Sequence, residues 1–159
     1  MKRLMILSTA ALLLAGCGGK NTDEGQKVTV ADGEGGSATV RFGGEDNGIA
    51  APENLPAFAP VYPGALIQSA VTGNEGEANG MVSFLSDAKQ ADVLAFYKDK
   101  GKAAGMSVKA EVAMGAGRML AMGSEGGGEG DSPAMQITTT PGDDGKVMVA
   151  VVYDGGKKG

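Results

Sequence analysis

The sequence predicts an α+β fold: an antiparallel β-sheet with one α-helix packed on one face, in the order ββαββββ, preceded by a short β-hairpin and a flexible tether. Three observations lead there. The stretch from Asp87 to Gly105 carries good helix formers with an apolar stripe. The segments beyond it alternate apolar and polar residues with the two-residue period of strands. Short runs rich in Gly, Asp, Asn and Pro separate those segments, which suits hairpins and leaves no room for parallel crossovers.

Taken in order, Gly18 to Lys27 is small, polar and without period, as a tether is. Lys27 to Ala31 and Ser37 to Phe42 flank the turn sequence Asp32-Gly33-Glu34-Gly35-Gly36 and form a hairpin that would be marginal alone. Gly43 to Pro60 has no pattern that would bury surface and is expected to be a linker or an extended strap. Tyr62-Pro63-Gly64-Ala65 is turn chemistry and leads into a strand over Leu66 to Thr72, paired with a second at Met81 to Leu85.

Asp87 with Gln90 three residues later has the spacing of a capping box, so the helix is expected to begin there. Ala91, Val93, Leu94, Phe96 and Tyr97 form its apolar stripe, Lys89, Asp92, Lys98, Asp99 and Lys102 are left for the wet side, and Gly105 suits the residue that ends it. Ser107 to Val112 alternates with its Val and Ala positions expected inward, and Arg118 to Met122 is a further strand. Met135 to Thr140 and Val147 to Tyr153 make the last hairpin. Its second strand is the most apolar in the chain and belongs at the centre of the sheet.

The amino end has a secretory layout. Lys2 and Arg3 precede an apolar run from Leu4 to Leu14, and small residues follow. A run of about 11 residues is short of the roughly 20 that cross a bilayer. Leu14-Ala15-Gly16-Cys17 resembles the lipobox of bacterial lipoproteins, and the resemblance implies that residues 1–16 are removed and that Cys17 receives the lipid. Stable anchoring takes two acyl chains or more, each buried methylene adding about 0.8 kcal/mol. Gly18 after the cysteine, where aspartate is absent, implies by the same resemblance the periplasmic face of the outer membrane over the inner membrane. The expected units are a signal peptide at 1–16, the lipidated cysteine and tether at 17–27, the hairpin at 28–42, a linker at 43–55, the α+β domain at 56–154 and a tail at 155–159.

Tyr62-Pro63-Gly64-Ala65, Phe84, Phe96-Tyr97 and Gly105 are together similar to small uncharacterised lipoproteins of the alphaproteobacterial kind, a group that brings no activity with it. Gly101 and Met106 stand where that pattern has larger apolar residues, which implies looser packing of the helix.

Composition narrows function by exclusion. Loss of Lys2 and Arg3 leaves 12 basic against 19 acidic side chains, a net charge of −7, which opposes nucleic acid and a basic grip on anionic lipid alike. The chain has no histidine, so Ser-His-Asp and Cys-His nucleophiles and His-ligated zinc are excluded. With Cys17 as the sole cysteine, no disulfide within the chain is available. Gly115-Ala116-Gly117 and Gly126-Gly127-Gly128 lack the spacing of a phosphate cradle, and the acidic turns lack that of a calcium loop. Met114, Met119 and Met122 are candidate soft ligands for Cu(I), although residues 119 and 122 of a strand point to opposite faces.

The expectation is a membrane-anchored, non-enzymatic envelope module without cofactor, with an envelope protein as its partner. The alternative is a carrier for a small ligand or for copper, using the methionines or the space between helix and sheet.

Overall fold

The computed structural model describes residues 26–31, 37–44, 47–73, 78–124, 132–142 and 144–156. The leader, the lipobox with Cys17 and the tether up to residue 25 lie outside the described residues, as do the acidic turns at 32–36, 74–77 and 125–131.

Among the described residues the elements are β1 (Gln26–Ala31), β2 (Ser37–Phe42), β3 (Leu66–Thr72), β4 (Asn79–Ser86), α1 (Gln90–Ala103), β5 (Met106–Met114), β6 (Gly117–Ser124), β7 (Ala134–Pro141) and β8 (Val147–Asp154). The eight strands form one antiparallel sheet in the order β1-β2-β3-β4-β8-β7-β6-β5, with α1 as its crossover. The expected antiparallel sheet with one helix on a face is present, but the order is ββββαββββ, the helix following the fourth strand. The difference lies in the first hairpin. It does not stand apart from the sheet, because Thr39, Val40, Arg41 and Phe42 pair with Thr72, Val71, Ala70 and Ser69. That pairing gives a marginal hairpin the third strand it needs. β8 takes the central place its apolar character requires, between β4 and β7.

One face of the sheet carries the core. Val82, Val151, Ile137 and Leu120 stand side by side across four strands, as do Phe84, Val149 and Thr139 across three, and all are buried. Helix α1 lies over the β5, β6 and β7 end of this face and presents Val93, Leu94 and Tyr97 to it, while Asp92, Asp99 and Lys102 stay exposed. The segment 47–65 packs on the core beside β3 and α1, while residues 26–30 of β1 are exposed. Ile49, Phe58 and Ala59 of this segment are core residues, which corrects the expectation that nothing here buries surface. The segment is irregular, so its apolar residues show no period to read. It is tied down by the Ile49 N–H donating to the Ile67 carbonyl at 3.0 Å and by the Tyr97 hydroxyl donating to the Pro60 carbonyl at 2.8 Å.

The helix starts later than the capping-box spacing suggests. Lys89 is the extended residue before the first turn and gives no side-chain cap. Ser86 Oγ instead accepts the Ala88 N–H at 3.1 Å, and Gln90 Nε2 donates to the Ala116 carbonyl in the β5–β6 turn at 3.0 Å. Gln90 thus fixes the helix to the sheet. At the other end Gly105 has φ +77°, the left-handed conformation that turns the chain into β5. Gly101 is buried against the sheet: a Cβ there would come within 2.7 Å of Met122 Sδ and Met135 Cε. The small residue permits close approach and Met106 is itself buried, so the looser packing expected at these positions is not found.

β5 differs from expectation as well. A bulge at Lys109 shifts its pairing with β6 between Val108 and Ala110. Beyond it Ala110 and Val112 turn away from the helix, and Glu111 comes round to meet Lys98 at 2.8 Å. The expected inward Val and Ala positions are therefore reversed past the bulge, because one extra residue exchanges the faces of all that follow. The ion pair is half exposed and adds little stability, but it sets β5 against α1.

Val93 has no exposed surface, whereas Asp92 beside it is exposed. Val93→Asp should then cost on the order of several kcal/mol by burying an unpaired charge, and Asp92→Lys should stay within about 0.5 kcal/mol. Urea unfolding with unchanged slope measures both, and equal losses would contradict this placement of the helix.

Candidate interaction surface

Register decides which side chains share a face, and it divides this sheet sharply. The covered face is filled where helix and strands meet, with Met122, Met135 and Met106 buried around Gly101. Methionine fits there because its unbranched thioether adapts to an uneven gap.

Among the described residues, no helix lies on the opposite face. One row crosses all eight strands through Val28, Val40, Val71, Met81, Val152, Gln136, Ala121 and Ala110. The next row runs through Gln26, Phe42, Ser69, Ser83, Ala150, Thr138, Met119 and Val112, and beyond it Leu66, Leu85 and Met148 continue the surface. No residue in these rows is charged. Among the described residues, the exposed large apolar side chains are Val28, Val30, Phe42, Val108, Val112, Met114, Met148 and Val152, and all except Val108 lie on this face. The contrast is clearest within β8, where Val151 is 2% exposed and its neighbour Val152 is 45% exposed.

The polar groups of this face are partly satisfied within it. Ser69 and Ser83 sit opposite one another and share a hydrogen bond of 2.7 Å. Lys109, the bulged residue, lays its stem near Gly123 at the margin. Charge is therefore confined to the helix side and the rim, while a largely apolar surface is left open.

The candidate residues from the sequence fall unevenly on this frame. Cys17 lies outside the described residues. Met114, Met119 and Met122 are not brought together as one set: Met114 and Met119 are on the open face, and Met122 is buried beneath the helix. Among the described residues no group of three His, Cys, Asp or Glu side chains could hold a metal. The open face itself was not singled out from the sequence. Its signal was the unbroken apolar run of β8, which reads as a strand buried on both sides when only one covering layer is available.

Two buried tyrosines differ in how their hydroxyls are treated. Tyr97 donates to the Pro60 carbonyl, and its ring meets Phe96, which in turn meets Tyr62. Tyr153 faces Gly80 across the β4–β8 pair, with its hydroxyl buried and without a partner among the described residues. Burial raises both pKa values, in Tyr97 against a smaller opposing effect of the Tyr62 backbone. A raised folded-state pKa means that the unfolded chain releases its protons first. Stability is therefore retained below about pH 10 and declines as the pH rises past it. Tyr97→Phe should cost about 1–2 kcal/mol because the Pro60 carbonyl loses its donor, and Tyr153→Phe should be neutral or stabilising because a desolvated hydroxyl goes. Urea unfolding at pH 7 and pH 11 checks both, and a larger loss at Tyr153 would mean that its hydroxyl is partnered.

Compared with known proteins, the chain matches a family model described as START domain-like over residues 67–150, from β3 into β8. No curated protein and no solved structure matches it. The matched stretch is more than half of the chain and contains the helix, the strands β4 to β7, nearly all of β3 and the first half of β8, so this chain belongs to the START-domain-like family.

Proposed function

We propose that the protein is a lipid-anchored, non-enzymatic interaction module of the bacterial cell envelope that works through the open face of its sheet. The observation that carries this is the uncharged apolar surface spanning β1 to β5, which costs free energy to leave in water and has no covering layer among the described residues. The lipobox supports the anchor at Cys17, with the stretch from Gly18 to the start of β1 at Gln26 as the tether and the periplasmic face of the outer membrane as the place. The lack of histidine supports a role in binding over catalysis. No helix among the described residues is long and apolar enough to cross a membrane, which is compatible with attachment by acyl chains.

A second reading is a carrier for a small ligand. The family match favours it, since the fold of that family suggests ligand binding, and the unpartnered Tyr153 hydroxyl gives a polar point inside an otherwise apolar core. Copper is the weaker form of this reading, because Met119 and Met122 stand on opposite faces.

The anchor and the face can be tested on one sample. The chain taken from membranes should have an intact mass starting at Cys17 with three acyl groups added, and Cys17→Ser should abolish both cleavage and membrane attachment. A photoreactive benzophenone residue at position 152 should form adducts in intact cells, and the same residue at position 92 should form none. An unmodified cysteine would overturn the anchor, and equal labelling from both positions would overturn the face. A small molecule retained in the native mass would favour the carrier reading.

A further inference from the structure

We infer that the open face is covered by a second copy of this chain, the two sheets closing face to face in a twofold β-sandwich. The inference rests on the reading of this face as the working surface and names its occupant. Three features of the face select that occupant. First is charge: the chain has a net charge of −5, or −7 once Lys2 and Arg3 are gone, yet the rows through Val152 and Ala150 carry no charged side chain. Two like-charged molecules can meet there without placing like charges together.

The second feature is area. Strands stand about 4.8 Å apart and rise about 3.3 Å per residue, so eight strands of some six residues give a face of roughly 700 Å², or roughly 1,400 Å² for two. That falls within the about 1,200–2,000 Å² of a stable, specific interface. The third is the chemistry of the face. Hydroxyls and an amide lie among its apolar residues, at Ser69, Ser83, Thr138 and Gln136. Ser69 and Ser83 answer one another, but hydrocarbon would offer Thr138 and Gln136 no partner, and Phe42 is the single aromatic ring in the rows, without the Trp or Tyr that hold proteins at a bilayer surface. A protein surface with the same mixture can answer each group. A twofold axis achieves this with one patch meeting itself, and packed sheets lie about 10 Å apart with interdigitated side chains.

The test uses the full chain produced in its own envelope in two differently tagged forms, each with the benzophenone residue at position 152. Illumination should give an adduct of twice the mass that carries both tags. Met81→Glu, which puts a like charge from each copy into the interface, should reduce this adduct at least tenfold, while Met81→Leu should leave it. Met148→Glu is the second variant, exposed enough to keep the fold if Met81→Glu does not. An adduct with some other molecule only would overturn self-association and leave the interaction reading standing. The absence of any adduct would overturn both, and a two-tag adduct that survives both charged variants would show crowding on the membrane in place of an interface.

Discussion

Helix α1 lies on β5, β6 and β7 of an eight-stranded sheet, so among the described residues one helix covers one end of one face and no helix covers the other. Every other feature of the structure answers to that mismatch. Beyond the helix, the part of this face beside β3 is covered by the segment 47–65, which is why a stretch without regular structure holds core residues such as Ile49 and Phe58. The hydrogen bond from Tyr97 to Pro60 joins the two covering pieces, and the edge contact of Phe96 with Tyr62 lies beside it. Among the described residues, nothing covers the second face. Its apolar character is thus an unanswered demand for burial, and this is where the functional reading of the molecule lies.

The same mismatch gives meaning to small departures from regularity. The bulge at Lys109 brings Glu111 to Lys98 and sends Val112 and Met114 to the open face, so a single inserted residue adds to the exposed apolar surface while securing the helix on the other side. Gly101 lets α1 settle closely on Met122 and Met135, leaving the soft side chains of these methionines as packing material. The methionines are thereby divided by role: Met106, Met122 and Met135 fill the core, and Met81, Met114, Met119 and Met148 belong to the outer face.

Much of the fold was legible because strand alternation and the helical stripe are local signals. The limits of Leu66 to Thr72 and the central place of Val147 to Tyr153 follow from such patterns. Three features were not legible, for different physical reasons. The burial of Ile49 and Phe58 depends on where an irregular segment crosses the sheet, which no period reports. Asp87 has the spacing of a cap, but the start of the helix is decided by Ser86 and by Gln90 reaching Ala116, a contact 26 residues away in sequence. The open face is invisible residue by residue, since Val151 and Val152 are the same amino acid in the same strand and differ only in which side of the sheet is covered. Only the count of covering layers distinguishes them.

That pair also offers the most direct test of the account. Val151→Thr and Val152→Thr introduce the same hydroxyl one residue apart, and each can be followed by urea unfolding at a concentration low enough to keep copies separate. The account predicts a loss of about 1–3 kcal/mol at Val151, where the hydroxyl would be buried without a partner, and a change within about 0.5 kcal/mol at Val152. Equal losses at both positions, or the larger loss at Val152, would mean that both faces of the sheet are covered within one chain and would contradict the open face on which the function rests.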